Sequence, residues 1–332
     1  VAGQATLTAY ATGKTSAHLT LTPVHPAWAD ICNGPVHVTL IHEWRNWAAE
    51  PAPGERRDEA LRRVTECVVW GETELHLDNL GLSSLPTLLP PMLKALYICK
   101  NLLNTLPELP PTLAKLIARN NLLTVLPVLP ASLETLNVRN NQLTVLPMLP
   151  ASLRELDTST NELTALPELP ASLRELDTST NELTTLPELP DSLETLNVRN
   201  NKLTALPDLP PLLTSLSVLF NKLTSLPDLP PSLKELEVGG DWLISLPNLP
   251  PTLTSLNVCN CPLVGLSAFP ALPVSLTSLV ACNIPLTTLP SLPVSLTRLD
   301  IRWNYLTTLP DLPAALTSLK VNFNYLADLP PL

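Results

Sequence analysis

From residue 72 onward the chain alternates apolar and polar positions on a single plan. Residues 133–152, LETLNVRNNQLTVLPMLPAS, state that plan, and the same twenty residues recur with small edits to the last position. Units begin at 72, 93, 113, 133, 153, 173, 193, 213, 233, 253, 276, 296 and 316, thirteen in all, the last cut short at Leu332. The period is twenty except for one extra residue after the first unit and three after 253, where LSAFPALPVS lengthens the turn. Self-similarity at such a period signals a solenoid, in which length counts repeats rather than separate domains.

Each position of the unit has a physical reason. Leu136 and Val138 alternate with Thr135, Asn137 and Arg139 at period two, which predicts a short strand with the first pair inward and the other three outward. Stacked, such strands make a parallel sheet on the concave face. The ninth position is Asn in most units (Asn101, Asn121, Asn141, Asn161, Asn181, Asn201, Asn221, Asn304, Asn324). An unpaired amide among leucines is costly, so these residues are expected to form a structural ladder, each bonding backbone of its own turn and of the neighbouring coil. The L-P-x-L-P segment excludes a helix and returns the chain along an extended, polyproline-like convex side.

Upstream the period changes. Ile41, Trp44 and Ala48 have helical spacing, Pro51-Ala52-Pro53-Gly54 interrupts it, and Ala60, Leu61, Val64, Cys67 and Val68 then form an apolar stripe with Arg56, Arg57, Arg62 and Arg63 among the polar positions. The organisation read from this is a poorly specified leader over 1–40 with a strand or two, a helical hairpin over 41–70, and repeats over 71–332. The hairpin would cap the solenoid, whose first coil otherwise exposes Leu75, Leu77 and Leu85. A basic amphipathic helix also suits membranes or calmodulin, but its position beside a repeat array favours the cap.

Composition changes this picture little. The 38 prolines exceed twice the usual share of about 5%, yet they recur in phase beside leucines instead of marking disorder. A net charge of -10 argues against a nucleic-acid binder and for a basic or mixed-charge protein partner. No apolar run approaches a transmembrane span, and no Sec-type signal is visible at Val1. The six cysteines are too scattered for a disulfide scaffold. Cys261 takes the ladder position of its unit. Cys259 and Cys282 share the seventh position in adjacent units, where a disulfide or thiol metal site is conceivable, but no histidine accompanies them and two free thiols are the expectation. No cofactor is expected.

The N-x-L-T-x-L-P-x-L-P unit is that of the leucine-rich repeat, and it closely resembles the short bacterial subtype of the type III secreted effectors IpaH, SspH, SlrP and YopM. EWRNWAAEPAPGERRDEALRRVTECV followed by ELHLDNLGLSSLP looks like the cap and first repeat of those proteins, so the resemblance covers about residues 41–332. It implies a virulence effector secreted by a bacterium, delivered into host-cell cytoplasm, and binding a host protein through its repeats. In the IpaH, SspH and SlrP branch the repeats precede a helical E3 ubiquitin ligase domain with a catalytic cysteine. That domain is not in this chain, which is therefore expected not to be an enzyme and to meet the ubiquitin machinery only through the absent domain. The YopM branch lacks the ligase and acts as a scaffold for host kinases. Ending in mid-repeat favours the ligase branch.

Outward strand positions nominate the binding residues. They include Tyr97, Arg119 and Arg139, then a carboxylate block of Glu155 and Asp157 beside Glu175 and Asp177, then Arg199. Further along come Phe220, Glu235 with Glu237, and Arg302 with Trp303. Strands about 4.8 Å apart would stack Asp157 on Asp177 as repelling charges, suited to a partner's Lys or Arg. Paired carboxylates also serve glycosidases and metal sites, but an open solenoid face offers no water-excluding pocket. Units 153 and 173 are so nearly identical that duplication alone can account for the doubled acids. For the aromatics, interface anchoring and simple tucking against the turn stand about equal.

Overall fold

A computed structural model describes residues 6–8, 18–20, 35–240, 242–261 and 269–328. Within the leader, β1 (Thr6–Thr8) and β2 (His18–Thr20) pair antiparallel; the remainder of residues 1–34 lies outside the described residues. Two helices follow, α1 (Pro35–Ala48) and α2 (Arg57–Trp70).

Helix α1 begins inside the stretch that helical spacing left to the leader. Pro35 suits a first helical turn, where its missing N–H has no intrahelical partner to lose. The anchors of α1 are Leu40 and Trp44, both fully buried, while Ile41 packs more peripherally. Helix α2 ends at Gly71, whose left-handed φ of 64° lets its N–H reach the carbonyls of Cys67 and Val68. The hairpin does cover the first coil: Leu75 is 1% and Leu77 0% exposed. Polar ties fix its angle. Trp44 Nε1 donates to Leu88 O (2.8 Å), Arg57 to Trp47 O (2.7 Å) and Arg63 to His76 O (3.0 Å). Glu55 takes Ser83 N (2.7 Å), Ser83 Oγ (2.6 Å) and Ala52 N (2.7 Å), with Arg57 Nε 2.6 Å away. The arginines of α2 are thus engaged within the cap, Arg62 with Glu59 and Glu66, which leaves little of a free basic face.

Thirteen strands then form one parallel sheet in sequence order, from β3 (Glu74–His76) through β4 (Ala95–Tyr97), β5 (Lys115–Ile117), β6 (Thr135–Asn137), β7 (Glu155–Asp157), β8 (Glu175–Asp177), β9 (Thr195–Asn197), β10 (Ser215–Ser217), β11 (Glu235–Gly239), β12 (Ser255–Cys259), β13 (Ser278–Val280) and β14 (Arg298–Asp300) to β15 (Ser318–Lys320). Every strand begins at the third position of its unit and ends at the fifth, except β11 and β12, which run to the seventh. Register is strict, with Leu136, Leu156, Leu176 and Leu196 side by side, so one apolar position stacks into a continuous core. The ninth-position ladder forms as expected. Asn161 Oδ1 accepts from Leu143 N (3.0 Å), while its amide donates to Val138 O (3.0 Å) and Thr158 O (3.0 Å), joining successive coils.

Two regular features carry no mark in the hydrophobic pattern. The hydroxyl at position twenty forms a second ladder: Ser152 Oγ donates to Ala131 O (2.8 Å) and Leu133 O (2.6 Å) of the preceding coil, and Ser172, Ser192 and Ser232 repeat this. Position eight is left-handed in coil after coil, at Asn140 (φ 55°), Phe220 (57°), Trp303 (59°) and Phe323 (60°). Six of these residues are Asn, which tolerates that region best among non-glycines; this was the available signal.

The candidate protein-binding face

The nominated residues separate into three zones along the sheet and its rim. At the N-terminal end, Tyr97 and Arg119 line a hollow with Lys115 and Asp78. Tyr97 stacks on His76 at 4.3 Å and 4°, and the Lys115 ammonium lies 6.0 Å from its ring. Arg139 stands exposed one coil on, its N–H bonded to Asn137 Oδ1 at 3.2 Å.

The middle zone is a trough of about 580 Å³ that brings together Glu155, Asp157, Glu175, Asp177, Arg199, Glu235 and Glu237. The expected head-on repulsion between Asp157 and Asp177 is relieved by their orientation. Asp157 Oδ2 accepts from Asn137 Nδ2 on the preceding strand (2.9 Å), and Asp177 Oδ2 accepts from Asn197 Nδ2 on the following strand (2.9 Å). Their other oxygens accept the N–H groups of Ser159 (3.0 Å) and Ser179 (2.9 Å). The outer acids are held by hydroxyls: Thr135 on Glu155 (3.3 Å), Ser215 on Glu235 (3.2 Å) and Ser217 on Glu237 (2.9 Å). All these donors are neutral, and the ion pairs among the described residues involve none of the six carboxylates. Their charge is oriented without being neutralised, leaving a partner's cations as the natural complement.

The third zone surrounds the last coils. Arg302 is bound to Asp300 at 2.8 and 3.0 Å, so its charge is largely answered within the chain. Burial acts to raise the Asp300 pKa, but hydrogen bonds from Arg302 and Cys282 hold it below the ordinary carboxylate value. Trp303 stacks on Phe323 at 3.7 Å and 11°, and Tyr305 faces Tyr325 at 6.1 Å. All four rings are more than half exposed, beside a groove of about 790 Å³. Trp303 is therefore displayed rather than tucked. Phe220, half exposed, instead lies across the backbone of Gly240, where a Cβ would meet its ring at 2.3 Å.

The outward strand positions do not reveal one further patch. The sixteenth position is Glu or Asp in Glu108, Glu168, Glu188, Asp208 and Asp228, but Val128 and Met148 interrupt it, 86% and 89% exposed, beside the exposed Val125 and Val145.

The in-register sheet, the asparagine ladder and the twenty-residue coil define a leucine-rich-repeat protein, and the Leucine Rich Repeat family model matches residues 192–216. Over most of its length the chain is similar to the solved structure of YopM, a leucine-rich effector protein from Yersinia pestis. The two are 35% identical with a TM-score of 0.71, covering 89% of this chain and 96% of that one. A Shigella effector LRR domain is 40% identical with a TM-score of 0.54, covering 57% of this chain and 87% of that one. The E3 ubiquitin-protein ligase ipaH9.8 of Shigella flexneri is 47% identical over 66 residues, 20% of this chain and 12% of the ligase. The chain belongs to the family of bacterial leucine-rich-repeat effectors that includes YopM and the IpaH proteins. What it shares with the ligase is a short fraction of that protein's length, and the described residues here are the β1–β2 pair, the cap and the repeats.

Proposed function

We propose that the chain is the host-protein recognition module of a secreted virulence effector, and that its concave face holds the partner. The carrying observation is the central trough of six carboxylates, five of them oriented by Asn, Ser and Thr donors without an ion pair. A partner presenting Lys or Arg to Asp157 and Asp177 gains charge-assisted hydrogen bonds there. Tyr97 and Arg119 at one end, and Trp303 at the other, supply side-chain types that anchor interfaces. On this reading delivery is to host cytoplasm, and the parent protein is an E3 ubiquitin ligase whose catalytic domain lies outside this chain. Identity with ipaH9.8 supports that branch. A non-enzymatic scaffold is the second reading, favoured by the similarity to YopM over 96% of that protein's chain.

The test is a fourfold reversal, Glu155→Lys, Asp157→Lys, Glu175→Lys and Asp177→Lys, in the purified chain. Partners captured from host-cell lysate are identified, and their affinity for wild type and variant is compared by calorimetry. The expected result is a loss of at least about tenfold in affinity with the circular dichroism and melting profile retained. Equal affinity would move the site to the aromatic groove or the N-terminal hollow. The branch is decided by the open reading frame after Leu332: a helical domain with a catalytic Cys marks the ligase, an early stop the scaffold.

A further inference from the structure

Asparagine is absent from the ninth position in three successive units, where Asp241, Cys261 and Ile284 stand. The ninth position is Cys261 in the unit starting at 253 and Ile284 in the next, both buried and 3% exposed or less, before Asn304 restores it. The period breaks at the same place, since those units start 23 residues apart instead of twenty. No ninth-position asparagine bridges coils at this seam, where instead Asn283 Nδ2 on the outer side donates to Asn260 Oδ1 (2.8 Å), and the two cysteines of the seventh position sit across it. Register pairs Ser255 with Ser278 and Asn257 with Val280, and its continuation places Cys259 opposite Cys282. Two bonds confirm this: Asn260 N donates to Cys282 O (3.0 Å), and Cys282 N donates to Cys259 Sγ (3.3 Å). Both thiols are on the outward side of the sheet and partly accessible. Adjacent strands lie about 4.8 Å apart, inside the Cα separation of roughly 4.4 to 6.8 Å that a disulfide bridges.

We propose that Cys259 and Cys282 are an oxidation site, closed by a peroxide-class oxidant into a disulfide that staples the two coils where the ladder is missing. The sulfur of Cys259 takes one oxygen from hydrogen peroxide to give a sulfenic acid, and water leaves. The sulfur of Cys282 then attacks that sulfur; the S–O bond breaks, and the departing hydroxide leaves as a second water with the Cys282 proton. The peroxide is reduced to two waters and the thiol pair loses two electrons and two protons. Cys282 Sγ lies 3.1 Å from Asp300 Oδ1, so Asp300 is the first acceptor for that proton. Closure draws the sulfur away and leaves Asp300 to Arg302 and Lys320. Burial pushes the Cys282 thiol up to about 12 and raises Cys259 as well, so little thiolate is present at neutral pH and oxidation is slow.

The full chain is treated with hydrogen peroxide, then alkylated, digested without reductant and read by mass spectrometry. The expected product is a 259–282 linked peptide and an intact mass lower by two hydrogens, both reversed by a phosphine reductant. Cys259→Ser and Cys282→Ser should each abolish the link. In hydrogen exchange, amides of residues 255–260 and 278–283 should slow by about tenfold in the oxidised wild type, through the loss of local opening. Oxygen addition at Cys259 with no link, a link to Cys261 or Cys99, or a link between two chains would overturn the assignment. A 259–282 link with unchanged exchange would overturn the stapling.

Discussion

The coils around Asn161 and the coils around Cys261 share one backbone and differ in how neighbours are tied. At Asn161 a single amide satisfies one N–H and two carbonyls and spans successive coils. At Cys261 and Ile284 no asparagine holds the ninth position, and the described ties between coils include the strand bonds, the hydroxyl ladder, as where Ser275 Oγ donates to Pro251 O and Leu253 O at 2.7 Å, and Asn283 Nδ2 donating to Asn260 Oδ1 at 2.8 Å. A solenoid's stability is close to a sum over repeats and their interfaces. The difference teaches that such a chain has stiff stretches and a seam, set by one residue per coil.

The largest effect should come from the tie itself. Asn161→Ala leaves the buried Leu143 N–H without its acceptor and takes one of two amide donors from each of Val138 O and Thr158 O, and should cost about 3 kcal/mol. Ile284→Val, at the same position in the seam, removes one buried methyl and should cost about 1 kcal/mol. Urea midpoints measure both, and equal losses would break the contrast between ladder and seam.

Next comes the tie between cap and first coil, made by a carboxylate instead of an amide. Burial acts to raise the Glu55 pKa, but bonds from Ser83, Ala52 and Arg57 bring it down from 4.5 to about 2. The folded value lies below the unfolded one, so this contribution is complete above about pH 4.5 and disappears as pH falls towards about 2. About 2 kcal/mol should be lost across that window after allowing for solvent screening. Glu55→Gln should flatten it, while the amide ladder contributes no such slope. Acid titrations of both proteins, followed by Trp fluorescence of the cap, check the sign.

The smallest effect lies within the stiff stretch. Thr158 and Thr178 occupy the sixth position, usually Val, and their buried hydroxyls have no hydrogen-bond partner. Thr158→Val and Thr178→Val should each stabilise by about 1 kcal/mol, readable as a rise in melting temperature. If neither stabilises, the hydroxyls are satisfied by water, and these coils are better tied than their side chains indicate.

Much of the frame was legible because a repeat states its rule many times over. Leu136 and Val138 inward, Thr135 outward and Asn141 bonded to both neighbouring coils follow from polarity and period alone. The site was legible only as columns. Glu155, Asp157, Glu175 and Asp177 were expected together and share the trough with Arg199 and Glu237. That Asp157 turns to Asn137 and Asp177 to Asn197 depends on which donor stands in the adjacent strand. The bidentate hold of Asp300 on Arg302, and Phe220 lying over Gly240, likewise depend on a neighbour in space. The start of α1 was missed because Val36, Val38 and Leu40 alternate at period two, which reads as strand instead of helix.

The sequence by itself determined the coil, its count, its inward leucines and the asparagine tie of LETLNVRNNQLTVLPMLPAS, since each is a local requirement repeated at fixed spacing. Only the tertiary structure decided which carboxylates keep an open charge and which arginines are already answered. Those outcomes depend on the distance and direction between side chains of different coils, which a period places in columns but does not orient.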